Sequence, residues 1–189
     1  DLFDPAVYSC FGEIMGYETG GLMPAPIRIL TRLTGKSATQ RSPYFLKHIH
    51  AGYRRDKRLY RKALENRSRL QKTFDENWAE QDALLLPVCG VQPFIHQAPH
   101  RDRGGLRDYK SKFDLEGTHV GYFDALTAFT VPISLMGNPV VTIPLGLDAI
   151  GLPVGAQLVG RRGGETELLG LARRLASILP TLRNPYRPT

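Results

Sequence analysis

Apolar positions recur at helical spacing along much of the chain, and two strand-like runs break that rhythm toward its end. Phe123, Leu126, Thr127, Thr130 and Ile133 can share one helical face. Pro132 removes a backbone donor there, which predicts a kink. Gly137-Asn138-Pro139 should end the helix, because proline cannot continue it. Val140 to Ile143, closed by Pro144, forms a β-branched run with the character of a buried strand. Val154 to Val159 is a second such run, with Gln157 its only strongly polar residue. The short turn between them, Gly146 to Pro153, suits an antiparallel pair better than a crossover.

Upstream, Asp4 can cap a helix that has Pro5 at its first position and runs through Val7, Phe11, Ile14 and Met15. Gly20 to Thr39 is rich in Gly, Pro and Thr and predicts loop, with a short helix near Ile27 to Leu33. From Ser42-Pro43 to about Glu80, the positions Ile49, Tyr53, Tyr60, Leu64, Leu70, Phe74 and Trp78 predict one long amphipathic helix, interrupted near Gly52. Asp82 to Val88 has the character of a strand. Val91 to Gly121 is polar and Gly-bearing, which predicts a surface insertion, about 95–121, whose partial deletion leaves stability unchanged. A helix from Glu165 to Leu179 and an extended tail, Pro180 to Thr189, complete the chain. The fold class expected is α/β: a mixed β-sheet with strands near 83–87, 140–143 and 154–159, flanked by the helices 43–80, 122–136 and 165–179.

Composition narrows the picture. An apolar content of 42% suffices for a sizeable core. No apolar run approaches the ~18 residues of a membrane span, and no membrane partner is expected. The net charge of +7 is local: Arg54 to Lys72 holds nine Lys/Arg against Asp56 and Glu65, and the remainder balances. Such a cluster fits nucleic-acid binding, or a solvated helix face whose long stems cover apolar surface. The second reading is preferred because no aromatic stacking platform accompanies the charge, so nucleic acid is not expected. Cys10 and Cys89 are far apart and fit two free thiols in a reducing, cytoplasmic compartment, with a disulfide between them the alternative reading.

Candidate chemistry is sparse. His96 and His100 have the spacing of a helical metal pair, but Pro99 lies between them in a loop context, and no metal is expected. His48 and His50 would face opposite sides of a helix. Gly160-Arg161-Arg162-Gly163-Gly164 opens a helix and could cradle phosphate. Glu165 and Glu167 in the first turn would repel it, so the loop is taken as structural and no cofactor is expected.

The phrases FTVPISLMGNPVVTIPLG and GLPVGAQLVG, followed by the helix ETELLGLARRLASIL, resemble the C-terminal part of the amidase signature family. The family's FT-x-P-x-N-L-x-G-x-P, P-x-G and G-L-P-x-G-x-Q-x-x-G phrases are matched by Phe129, Thr130, Pro132, Leu135, Gly137, Pro139, Pro144, Gly146, Gly151, Leu152, Pro153, Gly155, Gln157 and Gly160. Ser134 replaces the commoner Asn. AEQDALLLPVCGVQPF resembles a further family phrase, with Val88 for the usual Thr.

The resemblance implies hydrolysis of a carboxamide bond in a small-molecule substrate. A serine would attack, with a second serine and a lysine relaying the proton. Family members are usually more than twice this length, and their catalytic serine sits in a Gly-Gly-Ser-Ser-Gly-Gly-Ser-like loop. The pairs Gly20-Gly21, Gly104-Gly105 and Gly163-Gly164 adjoin no serine, so no catalytic residue is expected in this chain. Residues 1–189 are expected to be the C-terminal portion of a single amidase signature domain. That portion would be completed by a missing N-terminal part of the same protein or by a paired chain, and a homo-oligomer stays open. Thr127, Phe129, Thr130 and Ser134 combine hydroxyls with an apolar wall and are the candidate substrate-pocket residues. Each has a bland alternative: Thr130 back-bonding its helix, Phe129 packing in the core. Two other readings within the resemblance are a protein like the A subunit of the glutamine-dependent tRNA amidotransferase and a non-catalytic amidase-like scaffold.

Overall fold

The computed structural model describes residues 1–78, 81–99, 101–103 and 106–179; the tail at Pro180 to Thr189 and His100 lie outside the described residues. The chain folds as a helical layer followed by a small sheet with one helix of its own.

Helix α1 (Pro5–Leu22) starts where the sequence predicts: the Asp4 carboxylate accepts from the Ala6 N–H at 2.7 Å, and Pro5 occupies the first turn. Helix α2 (Ala25–Thr34) and the short α3 (Lys36–Arg41) fill what the sequence predicts as mostly loop. The expected long helix is two helices, α4 (Leu46–Gly52) and α5 (Lys57–Asn77). The break falls at 53–56, where Arg55 takes a left-handed φ of 55°. Asp56 then restarts the helix, accepting from the Arg58 N–H at 2.8 Å and the Leu59 N–H at 3.2 Å. The two pieces diverge because α4 must lie against α1. Their backbones approach so closely that a Cβ on Gly16 would sit 2.1 Å from the Ile49 carbonyl oxygen, so only glycine fits.

Helix α6 (Tyr122–Thr127) and helix α7 (Thr130–Met136) replace the single kinked helix expected over 122–136. Pro132 does not kink a continuous helix. It sits in the first turn of α7, where its missing N–H costs nothing, and the break falls before it at Ala128-Phe129. Gly137 ends α7 in the left-handed region, at φ 74°, as the sequence predicts.

Strands β1 (Leu84–Pro87), β6 (Val140–Leu147) and β7 (Pro153–Val159) form one sheet in the order β1-β7-β6, antiparallel throughout. The β6–β7 pair is the predicted hairpin, with a register shift between Pro144 and Gly146. Helix α8 (Glu165–Ile178) covers one sheet face, packing Leu168 and Ala172 on Ile143, Ala156 and Leu158. On the other face Val159 meets Ile133 of α7 and Trp78. The segment predicted as a surface insertion carries two further hairpins, β2 (Arg101–Arg103) with β3 (Leu106–Asp108), and β4 (Lys112–Leu115) with β5 (Thr118–Gly121). The second lies against α6 through rings: Tyr109 stacks on Tyr122 at 4.0 Å, and Phe113 and Phe94 stand 4.8 Å apart beside it.

Candidate functional site

The α6–α7 break brings together several stretches that the sequence analysis singles out. A break in a helix frees carbonyls, and buried carbonyls require partners. Three of them here are met from other parts of the chain. The Tyr8 hydroxyl of α1 donates to the Ala128 carbonyl at 2.7 Å. Gln157 of β7, 4% exposed, donates from Nε2 to the Phe129 carbonyl at 3.0 Å and to the Pro87 carbonyl at 2.8 Å. The Gly90 N–H donates to the Ala125 carbonyl at 2.8 Å. The lone polar residue of the β7 run is thus the tie between β1 and the break. Its partners lie far away in sequence, which is why the pattern marks Gln157 as unusual without showing its role.

The end of α7 is answered similarly. Gln71 of α5 donates from Nε2 to the Leu135 and Met136 carbonyls at 3.2 and 3.0 Å. Asn138 donates to the Gly160 carbonyl at 2.8 Å, while the Gly160 N–H donates to the Pro139 carbonyl at 2.9 Å. Gly137, Asn138, Pro139 and Gly160 are therefore one joint between α7, β6 and the end of β7.

Asp124, buried on α6, is a residue that sequence reasoning misses. It gathers the start of α4: Ser42 donates its hydroxyl, and the N–H groups of Phe45 and Tyr44 donate at 3.0 and 3.3 Å. Burial pushes the Asp124 carboxyl above the usual carboxylate range, and these hydrogen bonds pull it partly back. The only signal for it in the sequence is an acid inside an apolar helical run.

Of the four candidate pocket residues, three lie at the break and one lies a turn beyond it. Thr127 donates its hydroxyl to the Phe123 carbonyl at 2.8 Å. Thr130 reaches back to the Thr127 carbonyl at 3.4 Å. The Phe129 ring lies edge-on to Phe3, with centroids 5.6 Å apart. These three flank the break. Ser134, one turn further, is exposed and lines a cavity of about 180 Å³ with Phe11, Ile14, Met15, Glu18, Arg67 and Leu135. A wider cavity, about 630 Å³, opens between Gly90-Val91-Gln92 and the β4 hairpin at Phe113 to Glu116. The Gly90 tie to Ala125 places that cavity beside α6. Among the described residues no group of three or more His, Cys, Asp or Glu could hold a metal ion.

Comparison with known proteins decides what this frame is. The family model described as Amidase matches residues 29–169, most of the chain and every tie just described except the one from Tyr8. The chain belongs to the amidase family. A 6-aminohexanoate-cyclic-dimer hydrolase of Pseudomonas sp. (strain NK87) is 39% identical over 123 residues, covering 59% of this chain and 23% of the relative. The A subunit of a glutamyl-tRNA(Gln) amidotransferase of Chlorobaculum tepidum is 32% identical over 122 residues, covering 65% of this chain and 22% of the relative. The chain thus spans less than a quarter of the length of these curated relatives.

Solved structures agree in fold. A crystal structure of an amidase superposes over 92% of this chain and 36% of its own, with a TM-score of 0.62 at 24% identity. The structure of a 6-aminohexanoate cyclic dimer hydrolase superposes over 73% of this chain and 28% of its own, with a TM-score of 0.55 at 28% identity. As an amidase-family chain, this protein is α/β. No described helix is long and apolar enough to cross a membrane.

Proposed function

We propose that this chain is the C-terminal portion of a hydrolase that cleaves a carboxamide C–N bond by serine chemistry, with the serine supplied by polypeptide outside residues 1–189. The carrying observation is the stitched α6–α7 break. Its family phrases, scattered over the sequence, meet at Gln157, which fits a rigid wall beside a site completed from elsewhere. In the reaction the serine oxygen adds to the amide carbonyl. The C–N bond breaks as the amine leaves with a proton, and water then hydrolyses the acyl ester.

The part of this chain proposed to meet the substrate is the break itself, with Thr127, Phe129, Thr130 and, one turn on, Ser134. The Thr127 and Thr130 hydroxyls spend their protons on backbone carbonyls, so their oxygens remain acceptors for an amide N–H. Phe129 supplies apolar wall. A small amide is the substrate class favoured, because the cyclic-dimer hydrolase is the more similar of the two relatives over the aligned stretch. The amidotransferase reading draws on the 32% identical A-subunit relative and on the exposed basic positions of α5.

The test uses this chain alone and joined to the coding sequence upstream of Asp1. The 189-residue chain should give only background with aryl anilides. The longer polypeptide should turn them over, a serine-directed reagent should stop it, and Thr130→Val should raise KM with little change in kcat. Turnover by residues 1–189 alone, abolished by that reagent, would overturn the assignment. A longer polypeptide that is folded but inert toward amides would favour the scaffold reading. One that amidates mischarged tRNA only with glutamine would favour the amidotransferase.

A further inference from the structure

Helix α6 spans six residues, too few to hold a helical shape unaided, so its place is set by what grips it. Its far end is held at the break by the Tyr8 hydroxyl and the Gly90 N–H. Its near end is held by the stretch that leads into α4. Asp124, 6% exposed, stands in the first turn of α6 and reaches across to that stretch. Its carboxylate accepts from the Ser42 hydroxyl and from the Tyr44 and Phe45 N–H groups. Ser42, 2% exposed, in turn accepts from the Leu46 N–H at 3.0 Å. Phe45, at the N-cap position of α4, has no side-chain cap to give, so α4 is started by an acid on another element.

The surroundings tighten that grip. Gly121, the residue before α6, passes so close to the Arg41 carbonyl oxygen that a Cβ would stand 1.8 Å from it. Phe45 stacks on Phe123 of α6 with centroids 6.0 Å apart, and Phe11 of α1 lies 6.3 Å from Phe45 on the other side. An apolar side chain at 124 would fill the same space without the cost of burying a carboxylate, but it would leave three donors unmet. An asparagine would turn its own NH2 toward N–H groups. A carboxylate, an acceptor on both oxygens, answers all three.

We propose, resting on the reading of the break as substrate wall, that Asp124 is a positioning residue: its grip on the start of α4 fixes α6, and with it the place where Thr127 and Thr130 present their oxygens. Asp124 acts through α6 and not on the substrate. Thr127 lies three residues further along the same helix with its hydroxyl on the Phe123 carbonyl, and Thr130 reaches back to the Thr127 carbonyl. A shift of α6 therefore carries both oxygens with it, and a small misplacement of binding groups is enough to weaken a site. The contacts run from α1 through α4 to α6, all within residues 1–189, so the grip needs no polypeptide from outside them.

Hydrogen exchange and kinetics on the longer polypeptide test it. In Asp124→Asn the amides of Phe45 and, across α6, of Gly90 should both exchange roughly tenfold faster, because the Gly90 N–H is protected by the Ala125 carbonyl. KM toward the anilide should rise several-fold with kcat nearly unchanged. Thr130→Val added to that variant should raise KM little further, since both changes act on one wall. Asp56→Ala is the control: it removes the cap of α5, so it should cost stability yet leave Gly90 exchange and KM as they are. If Asp124→Asn does not fold, Ser42→Ala, which removes one of the three donors, should move Gly90 exchange and KM in the same direction by less. Faster exchange at Phe45 with Gly90 unmoved would make Asp124 a cap for α4 and nothing more, which overturns the proposal. So does an unchanged KM in a variant whose parent turns over amides. A parent inert toward amides fails the amide-hydrolase reading alone; Gly90 exchange that still answers to Asp124 would uphold Asp124 as the residue that positions the break.

Discussion

Gln157 carries more of this architecture than any other polar residue in the sheet. It stands on the β7 face opposite Ala156 and Leu158, where a strand in a two-sided core would ordinarily place an aliphatic side chain. Its amide instead serves carbonyls of β1 and of the α6–α7 break, 70 and 28 residues away. Gln157→Ala would leave both acceptors without that donor, at a cost of about 1–3 kcal/mol, the usual penalty for an unsatisfied buried group. Urea denaturation should show the loss as a lower midpoint at unchanged slope. Gln157→Glu should be at least as costly, because a carboxylate cannot donate to a carbonyl. A neutral result for both would mean that the break is held by Tyr8 and Gly90 alone. The residues legible in advance here were those with local consequences. Asp4 before Pro5 announces a cap, and Gly137 before Asn138-Pro139 announces a left-handed helix end. Gln157 and Asp124 act across long sequence separations, and a single sequence shows only that they are out of place.

At the scale of elements, periodicity located helices well and their interruptions less well. The apolar stripe runs from Ile49 to Trp78 almost unbroken, yet α4 and α5 diverge between Gly52 and Lys57. The cause is tertiary: Gly12, Gly16 and Gly52 allow α1 and α4 to touch backbone to backbone, which fixes the direction of α4 independently of α5. Polar composition gives no strand signal for the two hairpins in the stretch predicted as a surface insertion. The segment divides at Asp108. Strands β2 and β3 pair with each other, whereas β4 and β5 meet α6, and the rings of Tyr109 and Phe113 join Tyr122. The surface insertion is therefore proposed to end near Asp108 rather than at Gly121. Replacing 101–108 by a short Gly-Ser linker should leave the melting temperature nearly unchanged. Tyr109→Ala with Phe113→Ala should lower it by several degrees, since each aromatic pair is worth about 0.5–1.5 kcal/mol beyond its buried area. Equal losses from the two changes would show that the whole segment is part of the core.

For the molecule as a whole, the question is whether the helical layer and the sheet fold as one unit. The helical core gathers Val7, Cys10, Ile14, Ala63, Leu135 and Met136, and the sheet core gathers Ile143, Ala156, Leu158, Leu168 and Ala172. Between them lies a small cluster of Trp78, Ile133 and Val159. Leu2 and Phe74 pack on both this cluster and the helical core, and Val159 follows Leu158 along β7. Trp78, the sole tryptophan, lies edge-on to Phe74 at 5.2 Å and donates from Nε1 to the Gln81 carbonyl at 2.8 Å, so its fluorescence reports on this junction. If the junction couples the two cores, unfolding followed by fluorescence and by far-UV circular dichroism should coincide. Ile133→Ala, at a side chain 3% exposed, should then shift both transitions together by about 2–5 kcal/mol, the range for removing a buried isoleucine side chain. Coupling is the expected outcome because α7 is shared: Ile133 faces the sheet while Leu135 and Met136 face α1 and α5, so α7 cannot leave one core without leaving the other. Two separate transitions, with Ile133→Ala moving only the fluorescence one, would show instead that the sheet and α8 form a unit held loosely on the helical layer.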